Sequence, residues 1–274
     1  MSDIVNNLVS QHNSLIKASY SLTLNENRLL IAAISKIDST SQAWQSGRVE
    51  IDITVAEWRK LYSKNGGSVY SDVRTAAFKL YERNIRLWGD HDKGKNIRWI
   101  SAWEYDKNSA KVVLTFSGDI LHELSGFVEE FTKYQLLNVR GLKSSHSIRM
   151  YQLSAQFKGT GWHLIKLDEL RDMFKLGASY NRWIDLKKRV IDKSVTEINN
   201  KTDLNISYEK VKTGRNVTAI KLRIIVKDQM ELPLEFNDNS QVKEARKHKE
   251  KVSSTKEKRK KITAAIMDIH DTDW

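Results

Sequence analysis

Val55-Ala56-Glu57-Trp58-Arg59-Lys60-Leu61-Tyr62 and Leu167-Asp168-Glu169-Leu170-Arg171-Asp172-Met173-Phe174 align without a gap. Both octets carry Glu and Arg two apart, and both are apolar at the first, fourth, seventh and eighth places. Steps of three and four return to one side of a helix that turns by about 100° per residue, so each octet predicts a short helix with a buried stripe. After a two-residue difference in length, Tyr70, Val73, Leu80, Tyr81 and Ile85 fall on Tyr180, Trp183, Val190, Ile191 and Val195. One short match arises by chance. An ordered set of matches argues for internal duplication.

The surrounding pattern repeats in the same order. A helix from about Asn25 to Ile37 opens with the capping-box spacing Thr23/Glu26, and a strand follows at Val49–Ile53. Thr54/Glu57 repeats that spacing at the first octet. A third helix runs from about Val69 to Asn84, then strands near Ile97–Tyr105 and Lys111–Phe116. In the second round, Ser144-Ser145 cap a helix through Ile148, Tyr151, Gln152 and Ala155. A strand at His163–Leu167 leads into the second octet, and a long helix extends from about Tyr180 to Asn199. Strands at Leu204–Lys210 and Val217–Val226 flank the turn Lys212-Thr213-Gly214-Arg215. Helix, strand, two helices and a hairpin is the winged-helix order. The expected fold is therefore α+β, two tandem winged-helix domains related by internal duplication, followed by a basic C-terminal tail. The boundaries are 1–138, 139–230 and 231–274.

Composition limits what the chain does. The 274 residues carry 46 Lys+Arg against 34 Asp+Glu, for a net charge of +12. The stretch Gln241–Lys261 holds ten basic and three acidic residues, Ile262–Trp274 contributes −3, and the body to Ser240 keeps +8. A basic body as well as a basic tail points to a polyanionic partner. With no cysteine there are no disulfides, thiolate metal sites or cysteine nucleophiles. The longest apolar run, Leu29–Ile34, falls far short of the roughly 20 residues that span a bilayer, so no membrane partner is expected. Met1-Ser2-Asp3-Ile4-Val5 lacks the start of a secretory signal, and a cytoplasmic location is expected.

Enzymatic chemistry finds no visible residues. Gly89 to Lys95 has the glycine and lysine spacing of a phosphate loop, but Asn96 lacks the magnesium-ligating hydroxyl and a strand follows instead of a helix. The seven histidines include no pair one residue apart and no His-Glu-x-x-His. His122-Glu123 reads as a helix-end pair, and no two carboxylates pair for acid–base work. No catalytic residue, metal or cofactor is therefore assigned.

DNA binding does find residues. On the long helix of the second copy, Tyr180, Trp183, Ile184, Val190, Ile191, Val195 and Ile198 gather on one side, and Arg182, Asp185, Arg189 and Lys193 on the other. Arginine bonds guanine O6 and N7 together, and aspartate accepts from the cytosine amino group. The bland alternative is a solvated face with an Asp185–Arg189 ion pair. Lys188 lies on a flank, while Lys187 falls near the apolar side and must snorkel or meet a phosphate. Lys210, Lys212 and Arg215 sit at the wing tip within reach of phosphates. The third helix of the first copy exposes Ser68, Ser71, Thr75, Lys79, Glu82 and Arg86, with Arg74 on a flank, a less cationic face suited to backbone contacts or protein pairing. Trp88, Trp99 and Trp103 read as core residues of alternating strands.

With these pieces in place, the chain resembles the theta-type plasmid replication initiators (Rep proteins) of the iteron-binding, twin winged-helix kind. The resemblance rests on Ala18-Ser19-Tyr20-Ser21-Leu22 leading to Glu26-Asn27-Arg28-Leu29, on Phe131-Thr132-Lys133-Tyr134, and on Lys143-Ser144 followed by Ser147-Ile148-Arg149-Met150-Tyr151. Ser179-Tyr180-Asn181-Arg182, Glu197-Ile198-Asn199-Asn200-Lys201-Thr202 and the wing from Ser207-Tyr208-Glu209-Lys210 to Gly214-Arg215 complete it. It covers about residues 15 to 226.

The resemblance implies binding to repeated double-stranded origin sequences, recruitment of the host replicative helicase and host initiator proteins, and a monomer–dimer switch whose dimer represses the protein's own gene. It places base reading on Arg182, Asp185, Lys188 and Arg189, and brings Ser179 and Asn181 into the candidate set. Lys187 and Lys188 cannot make the planar two-bond contact of an arginine. It also implies a bacterial, plasmid-associated setting. A winged-helix transcriptional repressor with no initiation role would need the same DNA face.

Overall fold

The computed structural model describes residues 4–37, 47–62, 69–88, 94–124 and 130–227. The basic tail, Ser68 and the turn at 89–93 lie outside them.

The N-terminal copy is preceded by β1 (Leu8–His12) and α1 (Asn13–Lys17). The helix α2 (Leu24–Ile34) starts at a complete capping box, with Thr23 and Glu26 each bonding the other's backbone N–H. Glu26 is fully buried, and its carboxylate also accepts from Arg83 Nε at 3.1 Å. The second capping box holds as well: Glu57 N–H donates to Thr54 Oγ1 at 3.1 Å and Thr54 N–H to Glu57 Oε2 at 2.8 Å. This box fixes the corner between β2 (Arg48–Thr54) and α3 (Val55–Tyr62). The apolar places of the octet behave as spaced, with Val55, Trp58 and Leu61 buried and Tyr62 half-buried.

Next comes α4 (Val69–Tyr81), shorter than the sequence pattern suggests. A hairpin of β3 (Asn84–Trp88) and β4 (Gly94–Arg98) is inserted before the wing, β5 (Ala102–Asp106) and β6 (Lys111–Ser117). Glu82 and Arg86 are therefore not on the helix: Arg86 lies in β3, where its backbone bridges Ser19. Trp99 follows β4 outside any strand, fully buried edge-on to Tyr20 with ring centroids 4.9 Å apart. Trp103 is half-buried in β5, and the side chain of Trp88 is outside the description.

The segment α5 (Gly118–Leu124), β7 (Phe131–Gln135) and α6 (Leu136–Arg140) leads to α7 (Ser145–Gln156), with β7 paired antiparallel to β1. Ser144 occupies the N-cap position of α7 but makes no side-chain cap bond, contrary to its pattern. The second copy continues with β8 (Trp162–Lys166) and α8 (Leu167–Met173). A composite helix follows, of α9 (Trp183–Leu186), a π-helical turn (Lys187–Ile191) and α10 (Asp192–Lys201). The wing of β9 (Leu204–Thr213) and β10 (Asn216–Val226) ends it. Leu167, Leu170, Met173 and Phe174 are all buried, as the octet requires.

Sheet order carries the duplication beyond sequence. The first copy orders its strands β2-β6-β5, the second β8-β10-β9. In each, the strand before the octet pairs with the last strand of the wing. The copies diverge where the alignment ends: Ile85 lies in β3, whereas its partner Val195 lies in α10.

The helix α7 packs on α10 and β9 and also on β7, α1 and α2, so it belongs to the cores of both copies. Its Arg149 is buried, with the guanidinium 3.6 Å from the centre of the Tyr20 ring. It donates to the carbonyls of Ala18 at 2.8 Å, Met173 at 3.1 Å and Leu15 at 3.4 Å. Ser19 Oγ donates to Asp172 O at 2.7 Å. One accepting carbonyl lies at the C-terminal end of α8 and two at that of α1, where helix carbonyls carry partial negative charge, and together they hold a cation that has no carboxylate partner in these bonds. Burial lowers the pKa of Arg149 and raises that of Tyr20.

Candidate nucleic-acid interface

The helix of the second copy begins later than its periodicity suggests. Ala178–Tyr180 form a 3-10 turn, and Arg182 is the extended N-cap residue before Trp183. Arg171 builds this entry: its guanidinium bonds Asp168 Oδ1 at 2.7 Å, Tyr180 O at 3.2 Å and Asn181 O at 2.9 Å. The exposed Ser179 and Asn181 are thereby held at the head of the helix. Arg171 is the shared arginine of the octet. Its appearance in the repeat is a signal for it, but the repeat gives no hint of its task.

The π turn changes which residues face outward. With bonds from i to i+5, each residue turns through less than the α-helical angle, so residues before Lys187 are rotated relative to those after it. Leu186 turns fully into the core beside Val190, Ile191 and Ile198. Ile184, expected on the apolar side, is instead 52% exposed. Lys187 departs from its expectation too. It does not snorkel; its Nζ bonds Asp192 Oδ2 at 2.6 Å, five residues on and one π turn away.

Tyr208 on β9 donates its hydroxyl to the other carboxylate oxygen of Asp192 at 2.6 Å, which fastens the wing to the helix. Burial, then the bond to Asp192, pushes the Tyr208 phenol up to about 12. The bond to Asp192 raises Lys187. Burial raises Asp192, but its bonds from Lys187 and Tyr208 outweigh that and hold it below the usual carboxylate value. Asn199 completes the join, accepting from Ile206 N–H at 2.6 Å and donating to Ile206 O at 2.9 Å.

Outward lie Arg182, Lys188, Arg189 and Lys193, all exposed, with Asp185 half-buried between the two arginines. Arg182 Nε is 3.7 Å and Arg189 Nη2 3.8 Å from the Asp185 carboxylate. Such exposed pairs are worth about 0–1 kcal/mol, so they align the guanidiniums without sequestering them. At the wing tip Lys210, Lys212 and Arg215 are exposed. Gly214 takes φ +62° at the first place of the two-residue loop between Thr213 and Asn216, a conformation that glycine adopts without steric cost.

The face on α4 is weaker. Ser71, Arg74, Thr75 and Lys79 are all exposed. Arg74 stacks over the Tyr105 ring of its wing at 5.4 Å, and Thr75 and Lys79 border a groove of about 450 Å³ shared with Thr23 and Asn25. Among the described residues no group of three His, Asp or Glu could hold a metal ion, and no helix is long and apolar enough to cross a membrane.

Two copies of one helix-strand-helix-helix unit, each with its own wing, define a tandem winged-helix protein. The chain belongs to the initiator replication protein family: residues 8–155 match the family described as Initiator Replication protein, WH1, and residues 166–224 match Initiator Rep protein, WH2. The chain is therefore a DNA-binding replication initiator. It is 24% identical over 224 residues to an uncharacterized 27.6 kDa protein of Escherichia coli, covering 77% of this chain and 93% of that one. Its fold is similar to that of the Pi initiator protein, solved in complex with iteron DNA, with a TM-score of 0.69 and 19% identity. The match covers 84% of this chain and 100% of the Pi chain.

Proposed function

We propose that this initiator binds repeated sequences in a plasmid origin, helps the duplex to open and recruits the host helicase and initiator proteins. A dimer of the same chain represses its own gene. The observation that carries this reading is the exposed face of Arg182, Asp185, Lys188, Arg189 and Lys193 on a helix whose opposite side is sealed in the core. Arg182 and Arg189 supply two-bond donors for guanine, Asp185 accepts from cytosine, and Lys188 and Lys193 neutralise phosphate. Ser179 and Asn181 meet the backbone at the helix head, and Lys210, Lys212 and Arg215 follow it along the wing. Lys187 acts within the protein, through Asp192.

The proposed division of labour assigns 139–230 to sequence reading, 1–138 to dimerisation and to auxiliary contacts through Ser71, Arg74, Thr75 and Lys79, and 231–274 to non-specific attraction. The protein acts in the bacterial cytoplasm and uses no cofactor or catalytic residue. Footprinting the purified protein on DNA upstream of its gene tests the reading. Protection of regularly spaced repeats is expected, and uniform or absent protection overturns it. A plasmid that keeps replicating after the gene is disrupted would leave only the repressor role.

A further inference from the structure

One apolar side chain stands in the polar face. Ile184 is 52% exposed, between Arg182 and Asp185 and one turn ahead of Lys188, because the π turn rotates it out of the core as it rotates Leu186 in. Its exposure does nothing for folding, and its place in a row of groups that suit base edges matters more than its exposure alone. The major groove displays one apolar group, the C5-methyl of thymine. A β-branched side chain, held in few rotamers by its helix, presents a rigid methyl surface of matching size.

We propose that Ile184 reads a thymine by packing on its C5-methyl, adding a T·A preference to the G·C preferences of the flanking arginines and aspartate. This rests on the reading that the helix enters the major groove. The test uses the full-length protein and its footprinted repeat, with each thymine replaced in turn by deoxyuridine, which keeps the hydrogen-bonding edge and lacks the methyl. One position should weaken wild-type binding by about 3–10-fold, the effect of losing one buried methyl and its packing. Ile184→Ala should bind the T and U repeats equally at that position, while Arg189→Ala keeps the wild-type ratio. Sensitivity to uridine that persists in Ile184→Ala assigns the effect to DNA stiffness and overturns the proposal. So does a footprint indifferent to every replacement. Absence of any footprint instead overturns the parent reading, and this one with it.

Discussion

Lys187 Nζ lies 2.6 Å from Asp192 Oδ2, a spacing of five residues that an ordinary α-helix does not bring together. The pair spans the π turn, and Tyr208 joins it from the wing. The turn, the orientation of the proposed DNA face and the anchoring of the wing are thus one arrangement.

Tyr208→Phe should therefore lower stability by about 1.5–3 kcal/mol, the worth of a hydrogen bond to a charged group, and should remove one of the two side-chain ties between the wing and the helix, leaving that of Asn199. Asp192→Asn should weaken specific DNA binding although Asp192 is not among the proposed base readers. Denaturant melts and binding titrations check both. Unchanged affinity in Asp192→Asn would show that the helix keeps its face without the clamp. Asp192 is held low, so its stabilisation is present above the ordinary carboxylate range and is lost as pH falls through its folded value. Lys187 is raised, so its share is lost only as pH rises through its own folded value.

Base reading by the arginines predicts a difference between sites. Arg182→Ala or Arg189→Ala should cost about 1–3 kcal/mol on the specific repeat and little on random DNA. Equal losses on both would restrict these residues to phosphate contacts.

Arg149→Ala should destabilise the folded protein by about 3–5 kcal/mol, because it leaves a cavity and orphans three carbonyls that now accept its protons. Arg149→Lys should recover only part of this, since one ammonium cannot span the same fork. A thermal melt of each variant decides the matter; near-native stability in Arg149→Ala would remove the residue from its bridging role.

Acid should weaken the fold before the carboxylates titrate. Burial lowers both His146, with help from Lys193, and His163, with help from Lys17. The unfolded chain then takes up protons first, so stability falls as pH drops from about 6.5 toward the folded values. His146→Phe, which keeps the stacking on Phe174 and the edge contact to Tyr180, should flatten that decline between about pH 7 and 5.5. An unchanged slope in this variant would place the decline elsewhere.

Deleting the segment after Pro233 removes the dense cationic stretch Gln241–Lys261. The salt dependence of DNA binding should flatten while the preference for the repeat remains. Loss of preference on deletion would move sequence reading to the tail.

Much of this was legible in the chain because helical spacing reports burial. The octets, both capping boxes and the wing turn at Gly214 follow from local chemistry, and the identical strand orders bear out the duplication. What escaped has separate causes. A π turn has no spacing signature against a uniform helical angle, so spacing alone puts Ile184 on the apolar side, gives no place to Leu186 and leaves Lys187 to snorkel or meet a phosphate. The Ser144 cap failed because an N-cap residue type states a capacity, not a bond. Arg149 belongs to a family-like run, but two of its carbonyl partners lie more than a hundred residues away and the third lies 24 residues on in another helix, where no local pattern reaches.

Duplicated modules are commonly interchangeable parts, free to be reshuffled by recombination. Here Arg149 has tied the entrance of one copy to the end of a helix in the other, with Tyr20 as its lid. A gene that inherited the second half alone would leave the guanidinium one of its three accepting carbonyls, and the first half alone would leave the other two without their donor. The pair has become a single heritable object, and on the proposed assignment new specificities arise by changing the outward face of one helix while the seam stays as it is.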